Sequence, residues 1–186
     1  MRLRPPLRMS VMRRGEKEQR LGEFVTAHLA EARSVSPRPR SEILVLARSV
    51  ESPVVRAVAA HAADLVGSGF SVRMIVAQAD TESMPRGWTL SDAVEVECEV
   101  RWARKPRLIE AHEQLVLGPE TCWIGDSMRR EPTKCDAYET YVEDCAKTTA
   151  GTVMSFERLW QTSEPLLPRL PFPPPVRSIA NAMRRH

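Results

Sequence analysis

The stretch RLIEAHEQLVLGPETCWIGDSM, Arg107 to Met128, holds one histidine before a short apolar run, then a turn, then a second apolar run ending in Gly-Asp-Ser. An imidazole can attack an electrophile when one ring nitrogen is held by a partner and the other keeps its lone pair. His112 is therefore the first candidate for chemistry, either as a working nucleophile or as a residue kept for packing and hydrogen bonding. His28 and His61 fall within helical patterns and read as ordinary helix residues. The four cysteines (Cys98, Cys122, Cys135, Cys145) form no C-x-x-C pair and no Cys/His pattern of zinc spacing, so no metal and no cofactor is expected. Trp102, Trp123 and Trp160 read as core or interface residues. Aromatic residues make up only 5% of the chain, too few for a base-stacking surface.

The net charge of +3 conceals a division along the chain. Residues 1–40 carry ten Lys/Arg against four Asp/Glu (+6), residues 165–186 carry four Arg and no acid (+4), and residues 41–164 carry thirteen basic and twenty acidic residues (−7). An acidic body thus wears two basic arms. Such arms can engage phosphate-rich surfaces, or they can keep the chain soluble and dock on its own acidic body. No apolar stretch approaches the roughly 18–20 residues that span a bilayer. The start, MRLRPPLRMSVMRRGEKEQR, has no continuous apolar segment of a secretory signal. A soluble, bacterial-type protein in a reducing cytoplasm is expected, with the cysteines as small buried residues or free thiols.

The elements that must carry His112 follow from periodicity. The first dozen residues read as a loose arm. From Glu16 to Arg33 the apolar positions Leu21, Phe24, Val25, Leu29 and Ala32 fall at helical spacing, predicting an amphipathic helix. SVSPRPRS, Ser34 to Ser41, ends it as a linker. Ile43-Leu44-Val45-Leu46 predicts a strand buried on both faces. Ser52 and Pro53 open an alanine-rich helix as N-cap and first turn, and Gly67 and Gly69 close it. Phe70 to Gln78 is the next strand, completing a right-handed parallel βαβ unit. A loop follows over Asp80–Asp92. Val94 to Ala103 alternates as a half-exposed strand near an edge. EQLVLG and TCWIGDS form two more strands around Gly118-Pro119. Tyr138, Tyr141, Val142 and Cys145 suggest a helix over Asp136–Lys147, and Val153 to Ser163 predicts another with Phe156, Leu159 and Trp160 on one side. Six prolines between Pro165 and Pro175 predict an extended tail over a surface, with room for a short closing helix from Val176.

This order of pieces, in SEILVLARSV, SPVVRAVAAHAADLVGSGFSVRMIV, VEVECEVRWAR, AHEQLVLGPETCWIGDS and FERLW, resembles one half of a phospholipase D-like protein, the superfamily named for its H-x-K-x4-D motif. The resemblance covers about residues 41–163 and implies a mixed α/β sheet flanked by helices. It divides the chain into a basic arm and amphipathic helix (1–40), a phospholipase D-like α/β domain (41–164) and a Pro-rich basic tail (165–186). In that family the histidine attacks phosphorus, a second histidine from the other half or subunit protonates the leaving group, and lysines with a Gly-Ser-x-Asn segment hold phosphate. Charge develops on phosphoryl oxygens, so fixed cations and donors must already stand there. His112 matches the histidine. Gln114 stands where the lysine belongs, and Pro119, with Glu120 beside it, where the aspartate belongs. The Gly-Ser-x-Asn segment meets Gly125, Asp126, Ser127 and Met128.

The resemblance therefore implies a degenerate site. Glutamine brings no charge, and charge-assisted bonds are about twice as strong as neutral ones. Asp126, if turned inward, would repel a phosphate. Phosphate contacts would fall to Gln114, Ser127, Arg104, Arg107 and Arg129, with Lys105 and Arg130 nearby. The reading favoured is a catalytically inactive module acting as a two-fold homodimer, its His112 regions facing each other, with a protein partner docking on the Pro-rich tail. The alternatives are a metal-independent phosphodiesterase or nuclease using paired His112 residues, and a nucleic-acid-associated factor held by its basic arms.

Overall fold

The computed structural model describes residues 10–12, 14–34, 41–78, 98–104, 111–128 and 137–166. The elements run β1 (Ser10–Met12), α1 (Arg14–Ser34), β2 (Ser41–Ala47), α2 (Pro53–Ala60), α3 (Ala62–Gly67), β3 (Phe70–Val76), β4 (Cys98–Trp102), β5 (His112–Val116), β6 (Cys122–Ser127), β7 (Ala137–Val142), α4 (Ala146–Thr162) and β8 (Glu164–Pro165). The expected loop at 80–92, the arm before Ser10, the linker at 35–40, Cys135 and the tail beyond Leu166 lie outside the described residues.

One eight-stranded mixed sheet has the order β1-β7-β6-β5-β2-β3-β4-β8. The expected βαβ unit is present: β2 and β3 are parallel from Ser41↔Phe70 to Ala47↔Val76, and β4 extends them in parallel from Val72↔Cys98. The β5–β6 hairpin then adds antiparallel strands on the other side of β2. Because successive side chains in a strand alternate, β2 feeds both faces. Ile43, Val45 and Ala47 join α1, α2 and α3 in one apolar cluster, while Leu44 and Leu46 join Phe156 and Trp160 of α4 in the other. Helix α1, which precedes β2, supplies Leu21, Phe24, Val25, Leu29 and Ala32 to the first cluster. On the opposite face, Arg73 and Arg101 stack over Trp160 at 4.2 and 4.3 Å, and Arg73 also grips Glu157 at 2.7 and 3.1 Å. These contacts pin the second half of α4 to β3 and β4.

Three local expectations are corrected. The single alanine-rich helix is two helices broken at His61, whose Nδ1 reaches Ala57 O at 2.9 Å and whose Nε2 meets Thr26 Oγ1 of α1 at 2.8 Å. Ser52 makes no side-chain bond to the helix; its hydroxyl instead accepts from Ser49 N at 3.2 Å. The helix expected over Asp136–Lys147 is strand β7, and α4 begins only at Ala146. AYETYV satisfies both periods over so short a length, and pairing with β6 decides the outcome: Tyr141 packs toward α1, while Val142 joins the α4 side.

The face under α1 also encloses charge. Lys17 lies 3.0 Å from Glu139 and 3.6 Å from Glu113, with its Nζ 4.9 Å from the centre of the Trp123 ring. Glu139 is fully buried and its Oε2 accepts from Tyr141 Oη at 3.1 Å. The Lys17 contact at Oε1 is Coulombic rather than an aligned hydrogen bond. Burial, then the Glu139 charge, raises the Tyr141 phenol above its ordinary range.

Removing the one ammonium from two buried carboxylates leaves uncompensated charge. Lys17→Ala is expected to lower the unfolding free energy by about 3–5 kcal/mol in urea titration, and adding Glu139→Gln should recover part of that loss. A second outcome follows from Cys98, whose thiol burial and then Glu99 push up to about 12. An unfolded chain releases that proton near 9, so stability is expected to fall as pH rises from about 9 toward 12. Native Cys98 should react with iodoacetamide at pH 8.5 more than tenfold slower than in urea, by peptide mass mapping.

Candidate functional site

The C-terminal ends of β2, β3, β4 and β6 and the start of β5 share one edge of the sheet, as the registers Leu46↔Gln114, Val76↔Trp102 and His112↔Ser127 require. Such strand ends are where open α/β sheets offer side chains to ligands. Between the His112↔Ser127 and Gln114↔Ile124 pairs, Glu113 alone faces Gly125 and Asp126 together, a β-bulge in β6.

His112 is exposed at this edge, and its Nδ1 lies 2.9 Å from Gly125 O. A carbonyl only accepts, so Nδ1 carries the proton and the neutral ring holds its lone pair on Nε2. That orientation suits a nucleophile, and it equally suits a side chain that satisfies a carbonyl at the bulge. Gly125 is required for a different reason: a Cβ there would run into Cη2 and Cζ2 of the Trp123 ring. The glycine makes room for a buried indole on the α1 face while its carbonyl orients His112 on the other.

Two residues beyond His112, on the same side of β5, Gln114 is 8% exposed and lies between Leu46 and Ile124 in the neighbouring strands. Its Oε1 has no hydrogen-bond partner. Glu113 points the other way, to Lys17 of α1, and its Oε1 accepts from the backbone N–H of Arg48 at 3.1 Å. Asp126 Oδ1 accepts from Ser127 N at 2.8 Å, so this carboxylate caps the bulge.

Arg48 is the residue that sequence reasoning missed. It follows the last residue of β2, and its Nη2 donates to Met128 O at 2.5 Å and reaches Ser127 O at 3.4 Å. The signal was its place just past a doubly buried parallel strand. Of the expected phosphate contacts, Gln114 and Ser127 do meet His112 at this edge. Arg104 does not: it follows β4, three strands from β5, about 14 Å away by strand spacing. There it stacks over Trp102 at 4.5 Å and pairs with Glu164 at 3.2 Å. Arg107 and Arg129, with Lys105 and Arg130, lie outside the described residues. Glu120 sits in the hairpin turn at the far end of β5, where its carbonyl accepts from Cys145 N at 3.1 Å. Among the described residues no His/Cys/Asp/Glu group is arranged to hold a metal, and no helix is long and apolar enough to cross a membrane.

The double duty of Gly125 makes a specific expectation. Gly125→Ala should cost about 1–3 kcal/mol through overpacking against Trp123, read as a lower urea midpoint. It should also shift the His112 Cε1–Hε1 resonance as the carbonyl under the imidazole moves, whereas Gly151→Ala, where a Cβ meets open space, should change neither.

No protein-family model matches the chain, and no curated protein matches it in sequence. Solved structures do. TrmBL2, an archaeal chromatin protein described as showing a novel mode of DNA binding, superposes with TM-score 0.54 at 14% identity, over 89% of this chain and 57% of its own. The chain thus spans little more than half the length of that neighbour. NucT from Helicobacter pylori superposes with TM-score 0.53 at 8% identity, over 86% of this chain and 99% of its own. Nuc from Salmonella typhimurium, a phospholipase D family member, gives 0.49 at 12% identity, over 85% and 97%. At such identities the likeness is one of architecture alone, a mixed α/β sheet flanked by helices.

Proposed function

We propose that this chain is a catalytically silent phospholipase D-like domain that works by binding and assembly, as a two-fold homodimer with the His112 edges facing each other. The observation that carries the reading is Gln114: a buried, neutral side chain stands where the motif asks for a phosphate-holding lysine. Arg48, the described cation beside it, has its guanidinium turned onto the carbonyls of Ser127 and Met128. Among the described residues, a phosphodiester entering there would meet a histidine and a guanidinium already engaged with carbonyls, a poor setting for stabilising developing oxyanions. Closed two-fold pairing is the commonest soluble assembly, and the family resemblance implies it for half-length chains. The six prolines between Pro165 and Pro175 support the proposal that a protein partner docks on this tail. Cys98 and Cys122, present as free thiols, support a reducing, cytoplasmic setting.

Two observations favour other readings. The Nδ1 contact of His112 leaves Nε2 exposed as a nucleophile's would be, which supports a metal-independent phosphodiesterase, with NucT as a neighbour in fold. TrmBL2, a chromatin protein, supports a nucleic-acid-associated role through the basic termini.

One assay separates these. With bis(p-nitrophenyl) phosphate and no added metal, the wild type is expected to match His112→Ala, while Gln114→Lys should raise phosphodiester binding at least tenfold over wild type. Light scattering should give twice the 21.0 kDa chain mass. Wild-type turnover abolished in His112→Ala overturns the silent reading, and a monomer at micromolar concentration overturns the assembly. DNA affinity that falls steeply with salt and vanishes on deleting residues 1–15 and 165–186 would move the assignment to the third reading.

A further inference from the structure

Glu113 stands between His112 and Gln114 on β5, yet its buried carboxylate is shared between α1 and the end of β2. Its Oε2 lies 3.6 Å from Lys17 Nζ of α1, and its Oε1 accepts from the backbone N–H of Arg48 at 3.1 Å. Arg48 in turn holds the end of β6, donating from Nη2 to Met128 O at 2.5 Å. Met128 N donates to Ala111 O at 2.9 Å, one residue before His112. An unbroken run of contacts thus leads from α1 to the His112 edge, and every link before the last has an ionised partner. Arg48 comes straight after Ala47, the last residue of β2. Two bonds anchor its backbone there: the one to Glu113, and that from Gln78 N to its carbonyl at 2.7 Å.

We propose that the first turns of α1 are a strap whose docking holds Arg48 in place, with Glu113 as the relay, so that the state of the helix is felt at the His112 edge. The physical reason is the cost of a buried carboxylate that has lost its cation. Lys17 is nearer Glu139, at 3.0 Å, but in a dry interior its attraction for Glu113 at 3.6 Å is still substantial. With Lys17 withdrawn, the Glu113 charge is relieved by turning toward water, and a carboxylate that turns leaves Arg48 N. The guanidinium then loses the firm base from which it grips the β6 carbonyls. Coupling of this kind is reciprocal: whatever engages the Arg48 guanidinium at the edge also changes the hold on α1. It concerns how the edge is held and not what the edge binds, so it goes beyond the catalytically silent reading.

The test is amide hydrogen exchange, followed by NMR on the full-length chain. Arg48 and Met128 amides are the reporters, and the Ala103 amide, which donates to Val76 O at 3.0 Å after β4, is the reference. Lys17→Met keeps the stem and removes the charge; it is expected to speed Arg48 and Met128 exchange roughly tenfold relative to Ala103. Lys17→Arg should keep both ratios within about threefold of wild type. Leu29→Ala loosens the same helix by apolar loss alone and should leave the ratios unchanged. In Glu113→Gln an amide oxygen still meets Arg48 N without a charge to neutralise, so adding Lys17→Met should alter the Arg48 ratio by less than about threefold. Should Lys17→Met fail to fold, the same comparison is made in Glu139→Gln, which buries one charge fewer. An Arg48 ratio unmoved by Lys17→Met overturns the strap. Equal acceleration in Leu29→Ala, or a full effect of Lys17→Met in the Glu113→Gln background, overturns it as well. His112-dependent turnover in the phosphodiester assay would sink the silent reading and leave this coupling untouched.

Discussion

A single ammonium holds the fold and its edge together. Lys17 of α1 stands between Glu113 of β5 and Glu139 of β7, under the Trp123 ring of β6. Three strands of one sheet are thereby tied to the helix that covers them, through charges that have left water almost completely. Apolar packing by Leu21, Val25 and Leu29 drives α1 onto the sheet, but apolar packing alone does not choose an orientation. Two buried carboxylates that meet the same ammonium favour the orientation in which Lys17 reaches both. Glu113 then passes the constraint on, because its second oxygen accepts the N–H of Arg48 at the end of β2.

That arrangement sorts the chemistry of β5 by face. The odd-numbered residues Glu113, Leu115 and Leu117 belong to the side under α1, where the carboxylate is neutralised and hidden. The even-numbered residues His112 and Gln114 form the side a ligand would meet, and between them they carry no fixed charge. Charge does exist nearby, in Arg48 and Asp126, but each is turned onto backbone groups of the β6 end. The edge thus keeps a geometry that orients an imidazole, and among the described residues its one nearby cation, Arg48, is turned onto backbone carbonyls.

Much of this was legible in the residues, for physical reasons that differ by element. The doubly buried run Ile43–Leu46 and the Gly118-Pro119 hairpin form where the pattern puts them, and the Phe156/Trp160 helix forms but starts at Ala146, seven residues before the expected Val153. Strand β7 was misread because Tyr138 and Tyr141 stand three apart, a helical spacing, in a run of only six residues that pairing with β6 turns into a strand. The break at His61 had no local signal, since it depends on a hydroxyl 35 positions away in α1. Lys17 sits in a run of charges, yet it is four residues before Leu21 and shares that buried stripe, so helical spacing alone could have marked it. Arg48 could be found only through topology, which brings the end of β2 beside the start of β5.

A silent His112 edge, as proposed, does not grip a phosphoryl group. Vanadate mimics the phosphoryl-transfer transition state and should bind any competent site more tightly than substrate. Isothermal titration of the full-length chain with vanadate at low ionic strength measures this directly. The account predicts heats of dilution only, the same for wild type and His112→Ala. Saturable binding with micromolar affinity that disappears in His112→Ala would contradict it.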